Sequence, residues 1–183
     1  MPAEAKRTEI KVSKAQLDRD IDMLADRIAV AGGSWRAVIG VANGGIYPAG
    51  RVADRLKLPY GEIRIVGYDG REKAAPKIAK TLDDHRNGEG LIVVDDVVDS
   101  GDTALLIRQL FPQAELLVAY VKADGLRALA ARALEPRYAE RFPQDAWIVF
   151  PWHQEGWPCE VPHSVARYRS ALGLDPKIPI TPQ

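Results

Sequence analysis

The sequence predicts an α/β fold: a twisted, mainly parallel sheet with helices on both faces. Three observations carry that expectation. Apolar runs rich in small and β-branched residues, Ala37–Ala42, Leu91–Val94 and Glu115–Val121, read as strands buried on both faces. Helical patterns separate these runs, as crossovers between parallel strands require. The chain has 183 residues, 46% hydrophobic and 27% charged, the balance of an ordinary globular protein. A chain this long can bury roughly 70% of its unfolded surface without a disulfide or metal staple.

Residues 1–12 form a polar lead-in that ends in a short edge strand around Ile10 and Val12. Ser13 with Gln16 three residues later is a capping-box pattern. Leu17, Ile21, Leu24 and Ile28 then repeat at helical spacing, and Gly32-Gly33 stop the helix. The strand Ala37–Ala42 runs into the glycine turn Asn43-Gly44-Gly45. Ile46 to Leu58 reads as a helix, with Pro48 tolerated in its first turn. Polar and apolar residues alternate from Glu62 to Val66, a strand pattern. Between residues 68 and 90 charges crowd in, among them Arg71, Lys73, Lys77 and Lys80, so this long stretch reads either as a functional flap that closes over a site or as a disordered loop. The strand Leu91–Val94 ends in two acids, and a helix is expected from Ala104 to Leu110. An alanine-rich helix follows over Ala123–Leu134, then a short strand over Arg137–Arg141. One domain is expected over 1–183, with an N-terminal helix region at 1–34, a core at 35–165 and a C-terminal extension at 166–183.

Twenty-five basic side chains against 25 acidic ones give zero net charge. That argues against a general binder of nucleic acid or acidic membranes, so any anion must be met by a local site. Cys159 is the only cysteine, which excludes intrachain disulfides and cysteine-cluster zinc sites. The polar start and the lack of long apolar runs predict a cytoplasmic protein with no integral membrane association.

The informative segment is LIVVDDVVDSGDTA, residues 91–104. Acids at a strand's carboxyl end stand where open α/β sheets bind ligands. The turn from Asp99 to Thr103 leads into a helix whose free N–H groups, with the Ser100 and Thr103 hydroxyls, make a cradle for a phosphate. Asp95 and Asp96 suit sugar hydroxyls or a magnesium ion. A helix cap would explain Asp99 or Asp102, but not the adjacent pair. Neither a GxxxxGK[ST] run nor GxGxxG is present.

The thirteen residues 91–103 of this segment resemble the phosphoribosyl-diphosphate (PRPP) signature of type I phosphoribosyltransferases. The resemblance runs further, over roughly 35–165, towards the bacterial xanthine-guanine phosphoribosyltransferases. Gly44-Gly45 is similar to their pyrophosphate loop and Tyr68-Asp69 to the start of their flexible hood. Val121-Lys122-Ala123-Asp124-Gly125 resembles their lysine-bearing strand end, and Gln144-Asp145-Ala146-Trp147-Ile148 with Pro151-Trp152 their base-binding segment. The resemblance implies the type I fold with a small hood near the C-terminal segment and a flexible loop, PRPP and a purine base as partners, and a homodimer or homotetramer. It assigns PRPP binding to Asn43, Gly44, Gly45, Asp95, Asp96, Asp99, Ser100, Gly101, Asp102 and Thr103. The cofactor it implies is Mg2+, held by Asp95 and Asp96 as they hold the ribose hydroxyls. Asp99 would manage the proton at purine N7, Lys122 would donate to O6, Trp147 would stack on the base and Ile148 would read its edge through the backbone.

Three departures stand out. Asn43 replaces an arginine common in relatives, so the glycine turn offers hydrogen bonds without a full charge, and the basic 68–90 loop is the nearest supply in sequence. Asp102 replaces a small residue and is expected to point away from the phosphate as a cap. The stretch from Gly125 to Gln144 is long for the family. The implied reaction is transfer of 5-phosphoribosyl from PRPP to N9 of xanthine, guanine or hypoxanthine. Three rivals differ by assay: a phosphoribosyltransferase with another acceptor, a non-catalytic PRPP-sensing regulator that binds without turnover, and an acidic-pocket phosphotransfer domain that a phosphate donor would label.

Overall fold

A computed structural model describes residues 7–65, 77–78 (backbone only), 87–155, 157 and 161–175. The first strand, β1 (Thr8–Lys11), leads into α1 (Lys14–Ala31), which starts where the Ser13 hydroxyl oxygen accepts the Gln16 N–H at 3.1 Å. Its stripe of Leu17, Ile21, Leu24 and Ile28 is fully buried, each side chain contributing about 1.5–3 kcal/mol. The next elements are β2 (Ala37–Ala42), α2 (Ile46–Leu56), β3 (Tyr60–Arg64), β4 (Lys77–Ile78) and β5 (Leu91–Val98). After them come α3 (Asp102–Leu110), β6 (Glu115–Lys122), α4 (Ala123–Ala130), β7 (Arg137–Phe142), β8 (Ala146–Val149), a 3-10 turn at Pro151–His153 and α5 (His163–Ala171).

Six strands form one sheet in the order β4-β3-β2-β5-β6-β7, parallel except for β4 at the edge. Alternation along each strand divides the core. Val38, Ile92, Val94 and Leu117 pack with α1 and α2, whereas Ile39, Leu91, Val93 and Val118 pack with α3 and α4. Both faces are therefore covered, as a parallel sheet requires. The outer side of α1 is tied to α2 by Arg51–Asp22 at 2.7 Å and Arg55–Asp26 at 2.6 Å.

The expected edge strand at Ile10 and Val12 is β1, and it pairs in parallel with β8 rather than with the main sheet. The register sets Glu9 beside Trp147 and Ile10 beside Ile148. This second, two-stranded sheet stands where the small hood was expected. Several boundaries differ from the sequence expectation. β3 lies two residues early, because pairing with β2 in the register Val38↔Tyr60 to Ala42↔Arg64 outweighs its own alternation. β5 continues to Val98, since the ladder with β6 holds through Asp95↔Val118 and Val98↔Val121. The paired acids thus lie within the strand rather than after it. α4 stops at Ala130, ahead of Ala133 at φ +52°. The expectation of a flexible loop at 68–90 falls outside the described residues, apart from the β4 backbone and residues 87–90. Among the described residues, no helix is long and apolar enough to cross a membrane.

The C-terminal helix docks by polar anchors. Asp54 of α2 accepts the His163 and Ser164 N–H groups at 2.7 and 2.8 Å, satisfying the first turn of α5. Arg169, 8% exposed, reaches Glu62 of β3 at 3.3 Å. Removing one member of a buried pair strands the other. Arg169→Ala should therefore cost about 3–5 kcal/mol and lower Tm by about 10 °C. A thermal melt that moves less than a degree or two would refute this anchoring role.

Candidate active site

β2, β5 and β6 run parallel and adjacent, so their carboxyl ends share one edge of the sheet. At the end of β2 the turn Asn43-Gly44-Gly45 presses onto β5. A Cβ on Gly44 would stand 2.0 Å from Asp96 Oδ2, so only glycine brings this backbone against the acids. Asn43 Oδ1 accepts a hydrogen bond from Arg64 Nη2 at 3.1 Å. The parallel register that sets Ala42 beside Arg64 delivers that exposed guanidinium to the turn. A positive charge thus stands at the glycine turn itself, supplied by a residue the sequence reading passed over. Arg71, Lys73 and Lys80 lie outside the described residues, as does the side chain of Lys77.

Asp95 is 9% exposed and Asp96 half-buried. The Asp96 N–H donates to Asp95 Oδ1 at 2.9 Å and the Val97 N–H to Asp96 Oδ1 at 2.8 Å. Burial, reinforced by the Asp96 carboxylate, raises Asp95 well above the usual carboxylate range, and burial raises Asp96 as well. Among the described residues no cationic side chain forms an ion pair with either. Hard oxygen donors with no cationic partner among the described residues suit Mg2+, which commonly takes one or two carboxylates and draws its other ligands from water and substrate. Among the described residues no cluster offers three or more His, Cys, Asp or Glu side chains.

A carboxyl group raised on folding binds protons in the native state. Stability is therefore full at low pH and is lost as pH climbs from about 4 through the raised value. Asp95→Asn keeps an acceptor for the Asp96 N–H and removes the desolvated charge. The expected result is a higher Tm for ligand-free protein at neutral pH and a flatter decline of Tm with pH. Identical Tm–pH curves for the two proteins would contradict it.

The turn after β5 enters α3 through Gly101, whose φ of +94° is open chiefly to glycine. It leaves the N–H groups of the first helical turn, with Thr103, facing the same sheet edge. Asp102 does not serve as the cap. Gly101 holds the cap position, so Asp102 is already helical, and its Oδ2 accepts the Ser100 hydroxyl at 2.7 Å. The expectation that Asp102 acts as a cap is thereby corrected: Gly101 holds that position and the Asp102 carboxylate is bonded to Ser100.

Lys122, 6% exposed at the last position of β6, donates from Nζ to Asp99 Oδ2 at 2.9 Å. Gln144 Nε2 donates to Asp99 Oδ1 at 2.8 Å, and Gln144 Oε1 accepts the Asp124 N–H at 2.8 Å. Gln144 belongs to the segment singled out in the sequence, yet nothing in its spacing pointed to Asp99, 45 residues away. Trp147 and Ile148 lie on β8; Arg7 places its guanidinium carbon 5.4 Å from the Trp147 ring centroid, a cation–π distance. Trp152 is core, stacked on Phe150 at 4.7 Å. An acid pair, the N-terminus of α3 and a lysine–aspartate pair therefore stand at one sheet edge, and the segment leading into β8 is tied to it through Gln144.

The fold and the sequence together define a recognised class. Residues 7–118 match the phosphoribosyl transferase domain, and the chain belongs to that family. Within it the chain is similar to the xanthine-guanine phosphoribosyltransferase of Cereibacter sphaeroides, at 36% identity over 77% of this chain and 84% of that protein. It is likewise similar to the enzyme of that name from Nitratidesulfovibrio vulgaris, at 34% identity over 84% of this chain and 90% of that protein. The crystal structure of a purine phosphoribosyltransferase from Pyrococcus horikoshii superposes with a TM-score of 0.62 at 26% identity, covering 80% of this chain and 95% of that one.

Proposed function

We propose that this chain is a purine-salvage phosphoribosyltransferase that transfers 5-phosphoribosyl from PRPP to N9 of xanthine, guanine or hypoxanthine. The observation that carries the reading is the Lys122–Asp99 pair, 2.9 Å apart, beside the α3 cradle and the Asp95–Asp96 pair. In the reaction the bond from C1 of ribose to the pyrophosphate oxygen breaks, the bond to purine N9 forms, and the base sheds one proton. Ser100, Gly101 and Thr103 hold the 5-phosphate with the α3 N–H groups. Asn43, Gly44 and Gly45, with Arg64, meet the pyrophosphate. Asp95 and Asp96 hold the ribose hydroxyls and are the residues that would hold Mg2+, whose charge would help neutralise the pyrophosphate. Trp147 stacks on the base, Ile148 reads its edge, Lys122 donates to O6 and Asp99 holds the proton at N7.

Positive charge develops on the ribose ring as pyrophosphate leaves, so positioning and fixed electrostatics do most of the work. A PRPP-dependent screen over xanthine, guanine, hypoxanthine and adenine tests the reading. Turnover with one or more oxopurines supports it. PRPP binding without turnover on any base would favour the regulator reading and overturn this one.

A further inference from the structure

Both oxygens of the Asp99 carboxylate are taken in this structure. Lys122 holds Oδ2 at 2.9 Å and Gln144 holds Oδ1 at 2.8 Å. The Gln144 amide is itself oriented by chemistry. Its oxygen must face the Asp124 N–H, an orphan donor at the start of α4, which turns its nitrogen onto Asp99. The Asp99 side chain is 55% exposed, so packing alone does not fix its rotamer. Gln144 stands two residues before β8, the strand of Trp147 and Ile148. One amide thus ties the segment assigned to the base, the first turn of α4 and the carboxylate assigned to the base's proton.

We propose that Gln144 is a positioning residue that sets the Asp99 carboxylate for the purine. An arriving base takes a Lys122 N–H for its O6, which loosens the hold on Oδ2. Gln144 retains Oδ1, so the freed Oδ2 stays aimed at N7. This inference rests on the assignment of Asp99 made above. The competing role for Gln144 is a simple cap on α4, needing only its oxygen.

Two substitutions separate the roles. Gln144→Glu keeps an acceptor for the Asp124 N–H, where the helix dipole favours a negative charge, but sets a carboxylate against Asp99. Gln144→Ala removes both bonds without adding a charge. The positioning role predicts kcat about tenfold lower in Gln144→Ala, the scale of one hydrogen bond to a charged group, and about 100-fold lower in Gln144→Glu. The PRPP KM should stay within about threefold in both, and Tm should be no lower in Gln144→Glu than in Gln144→Ala. Equal or better kcat in Gln144→Glu than in Gln144→Ala marks a cap alone and overturns the proposal. If Gln144→Glu does not fold, Gln144→Leu decides: a lower kcat at near-native Tm upholds positioning, and an unchanged kcat overturns it. Asp99→Asn measured in parallel separates the levels of failure. Full activity there overturns the Asp99 assignment and this inference with it, whereas an inactive Asp99→Asn beside an unimpaired Gln144→Glu overturns the inference alone.

Discussion

Asp99→Asn should lower kcat by about 10²–10⁴-fold, the range lost when a positioned acid or base is removed, while PRPP affinity stays within a small factor. The substitution preserves shape and keeps an oxygen for either Lys122 Nζ or Gln144 Nε2, but removes the charge to which both donate. Asp99 lies beyond the end of β5, and its carboxylate bonds Lys122 and Gln144 rather than the Asp95–Asp96 pair. Loss of its charge therefore reaches the base end of the site and leaves the ribose end standing. Steady-state kinetics with saturating oxopurine, read beside a calorimetric titration with PRPP, separates the two. Turnover near that of the parent protein would remove Asp99 from the chemistry.

Lys122→Met is the second large expectation, and its signature is specificity. A nearly buried ammonium that donates to O6 of an oxopurine faces an amino group in adenine, which leaves two donors without an acceptor. Sites built on such a polar match discriminate by roughly 10⁴-fold. The substitution should lower kcat/KM for guanine or hypoxanthine by about 10–100-fold, the worth of a hydrogen bond to a charged group, with no comparable loss for adenine. The ratio between the two bases thus narrows from the oxopurine side. A parallel fall for both bases would show that Lys122 supports the fold or Asp99 without reading the base.

The central strands and their acids were legible because a parallel sheet buried on both faces writes itself as continuous apolar runs, and Leu91–Val94 ending in Asp95-Asp96 is such a run. Glycines at a close approach are equally legible: Gly44 against Asp96 and Gly101 at positive φ stand where a side chain cannot. Two things could not be read from local pattern. The pairing of β1 with β8 joins residues some 140 positions apart, and a polar lead-in does not advertise its partner. Arg64 and Gln144 act through register and a long-range side-chain bond. Asn43 in the glycine turn looked like a lost charge only while its neighbour on β3 was unknown. Asp102 was misread for a related reason: the cap position goes to whichever residue takes the non-helical turn, here Gly101, and this is decided by backbone geometry rather than by the acid's own preference for caps.

The most direct test of the central claim is a product balance. The protein is incubated with PRPP, Mg2+ and a single oxopurine, and the purine nucleoside 5-monophosphate and pyrophosphate are quantified together. Equal amounts of the two products are expected, formed only when PRPP and an oxopurine are both present, and essentially none with adenine. Pyrophosphate without nucleotide, or bound PRPP with no product from any oxopurine, would contradict it.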